Sequence, residues 1–131
     1  MLILFFGLLL NACSKSGSST ITGKWNIASD STIISGGTDS YNIYHGAIGD
    51  YFVFAPNGIL YTKEASLYDT IAYKLEPNDK IILPKIGFSL NGVTEPSSIS
   101  LTRNNLRIIA NPPGNVINPG LHYQRIINLM R

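Results

Sequence analysis

One cysteine in 131 residues, Cys13, excludes an intrachain disulfide and any multi-cysteine metal site. Histidine is nearly as scarce. His45 lies in a glycine-rich stretch and His122 in an alternating strand pattern; they lack the spacing of a two-histidine metal pair and are read as surface residues. Charge is low, at 14% of residues, and the ten basic side chains never run together. A nucleic-acid groove needs a basic stripe with interleaved aromatics, so no nucleic-acid partner is expected. The chain also lacks a Gly-x-Ser-x-Gly elbow, a nucleotide-binding glycine pattern and any assembly of nucleophile, base and orienting group. An enzyme is therefore not expected, nor a cofactor or a metal. Asp50 and Asp69 begin neighbouring elements and could act as paired carboxylates, but both occupy turn-forming positions, which is the expected role.

What is present is a chain 44% hydrophobic, long enough for one domain with its own core. The stretch Asp50–Leu83 holds four short apolar runs, each ended by turn residues. Tyr51–Ala55 and Ile59–Thr62 flank Pro56-Asn57-Gly58, where proline presets one φ angle and Asn-Gly accept the left-handed one, a hairpin signal. In Thr70–Leu75, Ile71, Tyr73 and Leu75 alternate with Thr70, Ala72 and Lys74; Pro77-Asn78-Asp79 then turns the chain into Lys80–Leu83. Upstream, Trp25 and Ile27 share one face. Downstream, Ile99 and Leu101 form a strand, Arg103-Asn104-Asn105 a turn, and Leu106, Ile108 and Ala110 the next inward face. In the last strand Leu121, Tyr123, Arg125 and Ile127 are expected to point inward.

These are about eight short strands without a convincing helix. An up-and-down antiparallel β-barrel over residues 21–131 is the expected fold, because closure removes the edges an open sheet would expose. Numbered along the chain, the connections Ser31–Gly49, Lys63–Asp69, Pro84–Ser97 and Asn111–Gly120 read as long, and the three between them as tight. In a meander successive connections alternate ends, so the long loops should gather at one rim, a mouth, and the tight turns at the other. Within Ser31–Gly49, Tyr41–His45 reads as a strand extension or a short flap.

The first thirteen residues, MLILFFGLLLNAC, carry an apolar run too short for a bilayer, which needs about twenty residues, and suited to a signal-peptide core. Leu10-Asn11-Ala12-Cys13 resembles the lipobox of bacterial lipoproteins. That resemblance implies a signal peptide over 1–12, cleavage before Cys13, and acylation there with diacylglycerol on the thiol and a further chain such as palmitate on the amine. Several acyl chains at about 0.8 kcal/mol per buried CH₂ hold firmly. Residues 13–20 then form the lipidated cysteine and a small polar tether. Ser14, where an Asp would imply inner-membrane retention, points to the outer membrane, facing the periplasm.

The order Gly23-x-Trp25, Tyr51-Phe52-x-Phe54 before Asn57-Gly58, Asp69-Thr70-x-x-Tyr73, Ile99-x-Leu101-Thr102 and His122-Tyr123-Gln124-Arg125 resembles the lipocalin-like domain family of small bacterial lipoproteins. The resemblance implies an antiparallel barrel, with Trp25 packed under Arg125 to close one end. It names no ligand. Trp25, Phe52, Phe54, Tyr61, Tyr73 and Tyr123 are aromatics enough either to line a cavity or to fill it. Two functions are expected from different classes. One is a lipid-anchored module binding a small apolar or amphipathic ligand, with Tyr41, Tyr44, Phe54, Tyr61, Tyr73 and Phe88 as candidate contacts and Ile86 and Asn111–Gly120 beside them. The other is an interaction protein with a filled barrel whose loops touch another envelope component.

Overall fold

The computed structural model describes residues 20–37, 39–90, 92–111 and 120–131. The expected cleavage site, Cys13 and most of the expected tether lie outside them, as do residues 112–119 of the last expected long connection. The described residues form twelve strands and no helix: β1 (Gly23–Ser35), β2 (Ser40–His45), β3 (Tyr51–Phe54), β4 (Ile59–Glu64), β5 (Leu67–Ala72), β6 (Lys74–Glu76), β7 (Lys80–Ile82), β8 (Ser89–Leu90), β9 (Val93–Thr94), β10 (Ser97–Leu101), β11 (Asn105–Ala110) and β12 (His122–Met130).

Nine of these strands follow one antiparallel path, β5-β4-β3-β1-β12-β11-β10-β7-β6, with β2 on the side of β1. The two ends of the path, β5 and β6, are one chain segment bent at Tyr73. The sheet therefore curls into a nearly closed up-and-down barrel, as alternation predicts. Counting the bent segment once leaves eight staves in chain order. The bend is tied down locally. Tyr73 donates its amide to the Gly58 carbonyl at 2.8 Å and its hydroxyl to the Ala55 carbonyl at 2.6 Å. Bending costs Leu75 its inward place: it is 51% exposed, against expectation, because β6 has left the register of β5.

Both tight turns of the central meander fall where the sequence places them. Gly58 has φ +81° and the Ala55 amide pairs with the Ile59 carbonyl at 2.8 Å, so glycine alone, not Asn57, takes the left-handed position. Asn78 and Asp79 both have positive φ, which their short polar side chains tolerate better than most.

Two of the expected long connections are shorter than the sequence suggested. Ser31–Ser35 continue β1, because β12 pairs with them on one side and β2 on the other. The flap is thus a true strand. Glu64 pairs with Leu67, so the connection Lys63–Asp69 collapses to a turn at Ala65-Ser66. Near Ala28 the register of β1 shifts, and the Gly46 amide bonds the Ala28 carbonyl at 3.1 Å. Any side chain at Gly46 would collide with the Ile27 carbonyl, so the chain needs glycine there. Beyond Ala110, β12 has left β11 behind. Among the described residues His122–Gln124 pair with Ile33–Ser35 alone, and a β12-β1-β2 ribbon rises past the barrel.

The core fills the tight-turn half. Trp25, Phe54, Leu60, Ile81, Leu83 and Ile108 have no exposure, and Phe52, Leu106, Ile127 and Leu129 almost none. Each such side chain contributes about 1.5–3 kcal/mol by leaving water. Phe54 meets Tyr73 edge to face at 5.2 Å and Phe52 at 6.3 Å. Ile21, just before β1, is buried across the floor, and its carbonyl accepts the Trp25 Nε1–H at 2.8 Å. Phe54 and Tyr73 therefore serve packing rather than a ligand. Tyr61 is 43% exposed on the outer face of β4, and Tyr123 is 38% exposed on the projecting ribbon, so neither lines the interior.

The floor is closed by a different cation from the one expected. The Arg131 guanidinium lies 3.9 Å from the centre of the Trp25 ring. Its Nη2, Nη1 and Nε donate to the carbonyls of Thr20, Thr22 and Arg103 at 2.7, 3.3 and 3.2 Å. Arg125 does not reach the indole. Arg125 lies six positions before Arg131, which directly follows β12, and that distance carries Arg125 to the opposite end.

Candidate functional site

At the mouth, the inward faces of β1, β4 and β12 turn from apolar to polar. On β4 the inward series is Leu60, Thr62, Glu64; on β1 it reaches Asp30 and Thr32; on β12 it rises from Leu129 and Ile127 to Arg125. Arg125 is bound bidentately by Asp30, Nε to Oδ1 at 2.9 Å and Nη2 to Oδ2 at 2.5 Å, with Asp30 only 7% exposed. The fork geometry matches a carboxylate and offsets the desolvation of both groups. Hydrogen bonding to Asp30 raises the Arg125 pKa above its ordinary value, outweighing the opposite effect of burial.

Glu64 stands beside this pair. Its pKa is pushed up to about 7, first because burial disfavours its charge, then because Asp30 repels the charged form and accepts a hydrogen bond from the protonated one; Arg125 opposes the shift and Asp50 adds to it.

A second carboxylate organises the rim. Asp50 is 1% exposed and takes four donors: Tyr44 Oη at 2.5 Å, the Ala47 amide at 2.8 Å, the Ala65 amide at 3.0 Å and Lys63 Nζ at 3.4 Å. These bonds, Tyr44 foremost and then the Ala47 amide, hold its pKa down to about 2. The Tyr44 hydroxyl shifts upward, mainly through the same bond. One side chain thus ties together β2, the 46–50 connection and the β4–β5 turn. Its turn role is real, since it caps Ala47, but burial and three extra partners make it a clasp. Asp69 accepts Lys85 Nζ at 2.6 Å across the mouth, which lowers its pKa.

Above the core these groups surround a cavity of about 410 Å³ lined by Asp30, Thr32, Asn42, Tyr44, Glu64 and Arg125 with the Lys85–Phe88 segment. A lobe of about 180 Å³ adjoins it, sharing Glu64, Lys85, Ile86 and Arg125 and reaching Phe52, Thr62, Leu67, Asp69 and Ile71. Of the expected contacts, Tyr44, Ile86 and Phe88 meet here. They lie at one rim, opposite Asn57, as the alternation of connections requires. Tyr41 is 62% exposed on the other face of β2 and takes no part. Pro113 and its neighbours fall outside the described residues. The residues sequence reasoning passed over are Asp30, Glu64, Thr32, Asn42 and Lys85. Parity could have found Glu64, two places beyond Thr62 and four beyond Leu60. Asp30 was hidden because Ser29-Asp30-Ser31-Thr32 has turn-like composition.

Among the described residues no group of three or more His, Cys, Asp or Glu side chains is placed to hold a metal ion. Comparison of the chain with family models, with curated proteins and with solved structures found no match in any of the three.

Proposed function

We propose that this chain is a lipid-anchored bacterial envelope protein whose barrel, of the lipocalin-like kind, binds a small amphipathic ligand at its mouth. The observation that carries this reading is the cavity of about 410 Å³ between Tyr44, Phe88 and the Asp30–Arg125 pair. Its size falls within the range of roughly 300–1,000 Å³ usual for small-molecule sites. Because Trp25, Phe52 and Phe54 fill the lower half, a wholly apolar ligand has no deep void to enter. The mouth offers apolar wall and polar base together, which favours an amphipathic molecule. Anchoring follows from the lipobox at Leu10–Cys13, and the outer membrane, periplasmic side, from Ser14. The floor, where the tether joins at Thr20, then faces the bilayer and the mouth faces away.

Native mass spectrometry of protein purified from its own host tests the binding role: a stoichiometric small molecule is expected, reduced in Phe88→Ala. Repeated isolation of an empty protein together with one stoichiometric envelope partner would favour the second reading, an interaction protein; the solid lower barrel gives that reading its support. For the anchor, Cys13→Ala is expected to leave the membrane fraction. Wild type without acyl mass at its amino terminus would refute lipidation.

A further inference from the structure

With Glu64 ionised, the charges around the mouth do not balance, and the imbalance specifies a ligand. Five ionic side chains line the cavity and its lobe: the cations Lys85 and Arg125, and the carboxylates Asp30, Glu64 and Asp69. Arg125 is engaged by both oxygens of Asp30, and Lys85 is held by Asp69 at 2.6 Å. Lys63, next to Glu64 on β4, turns the other way and pairs with Asp50. Each cation at the mouth therefore has a carboxylate, and among the described residues Glu64 has no cation of its own. It lines both the main cavity and the lobe. Around it the walls are Phe88, Ile86 and the ring of Tyr44, surfaces that suit an apolar body and, in the aromatics, a positive charge.

We infer that the mouth selects a small amphipathic monocation, an alkyl- or arylalkyl-ammonium or guanidinium, with Glu64 as its counter-ion and Phe88 and Ile86 against its apolar part. This rests on the binding role proposed above. An anionic ligand would add to the negative charge of a mouth where Asp30, Glu64 and Asp69 outnumber Arg125 and Lys85. A neutral one would leave Glu64 as it is. A cation alone completes the site.

Binding is coupled to a proton. The groups facing Glu64 are Asp30 from β1, Tyr44 from β2, Asp50 before β3, Asp69 from β5, Lys85 after β7 and Arg125 from β12. The ammonium stays protonated, like lysine, through neutral pH. Glu64 must ionise to receive it, so a proton leaves as the ligand enters.

The test uses three near-isosteres, 2-phenylethylammonium, 2-phenylethanol and 3-phenylpropionate, titrated calorimetrically into the full-length protein at pH 6 and pH 8 in two buffers of different ionisation enthalpy. With Glu64 titrating at about 7, ammonium affinity is expected to rise roughly tenfold from pH 6 to pH 8, with release of close to one proton at pH 6. Glu64→Gln is expected to abolish both the pH dependence and the proton release, and to lower affinity at pH 8 at least tenfold. Proton release by wild-type protein keeps the test valid should that variant fold poorly. The inference is overturned if the alcohol or the carboxylate binds as tightly as the ammonium at pH 8, or if the ammonium binds without a pH dependence; in those cases the binding role stands. If none of the three binds at either pH and the natively purified protein is empty, the binding role falls and this inference with it.

Discussion

Around Trp25 the barrel interior is Phe52, Phe54, Leu60, Ile108 and Leu129, each at most 2% exposed, whereas around Arg125 the same staves present Asp30, Thr62 and Glu64. The floor is held by apolar contact, which is indifferent to pH and tolerant of small shifts in geometry. The mouth is held by directed bonds to buried carboxylates, which depend on protonation and on every partner being in place. Each end carries one arginine of the last stave. Arg131 lies flat on an indole and spends its donors on loop carbonyls; Arg125 neutralises a buried acid. The lesson is that one chain segment delivers the same side chain to two opposite tasks, and the local interior decides which.

The sharpest way to break this contrast is at the floor. Trp25→Ala removes the largest buried side chain, and a loss of about 3–5 kcal/mol is expected in denaturant unfolding. A loss below about 1 kcal/mol would mean that the floor is not the stabilising end.

Next in size is the mouth pair. Arg125→Ala strands the Asp30 charge and is expected to cost roughly 2–4 kcal/mol, less than a fully buried pair because Arg125 is still 28% exposed. Asp30→Leu combined with Arg125→Met should recover most of that loss, since matched apolar groups replace both partners. Neither change should move the emission of the single tryptophan. Arg131→Ala should shift it while costing only about 1 kcal/mol, the scale of an exposed cation–π contact. Emission responding to Arg125 instead would reverse the assignment of the two ends.

The pH profile separates the ends again. Glu64 has a folded pKa of about 7 against an ordinary 4.5, so the folded form holds this proton more tightly than the unfolded chain does. The stabilisation is complete below about 4.5 and is lost as pH rises through 7. Glu64→Gln should flatten that slope and raise stability at pH 8 by roughly 1–2 kcal/mol, after allowance for the water that still reaches the group. Asp50 acts in the opposite sense. Depressed to about 2, it contributes stability above its ordinary 3.8 that disappears as pH falls toward 2. Acid titration below about pH 4 should therefore disturb the Tyr44 ring before the Trp25 environment. Simultaneous loss of both signals would show that the two ends do not melt separately.

The smallest effect belongs to the rim turn. Ala65 is held at φ +55°, a left-handed conformation that costs an alanine about 1 kcal/mol, and its amide is clasped by Asp50. Ala65→Gly should stabilise by roughly 0.5–1 kcal/mol. Destabilisation would mean that the loss of unfolded-state constraint outweighs the relief of strain.

Alternation by itself determined the staves. Phe52 and Phe54, Ile99 and Leu101, or Leu106 and Ile108 each place one face inward with no need of a partner's identity, because the period of a strand is local. Turn residues such as Gly58, Asn78 and Asp79 set the reversals, for the same local reason. The gathering of Tyr44 and Phe88 at one rim followed from counting connections. What the sequence left open was pairing between side chains far apart in the chain. Both Arg125 and Arg131 could reach an indole by parity; only the stagger of β12 against β1, with Asn26 opposite Met130 and Asp30 opposite Ile127, decided that Arg131 would. The length of β1 past Asp30, and the inward turn of Asp30 itself, likewise depended on β2 and β12 satisfying polar residues on both sides. Burial of Asp50 needed donors from Tyr44, Ala47, Lys63 and Ala65, four positions that no spacing rule brings together. A carboxylate's environment is a sum over neighbours from several strands, and that sum exists only once the barrel has curled.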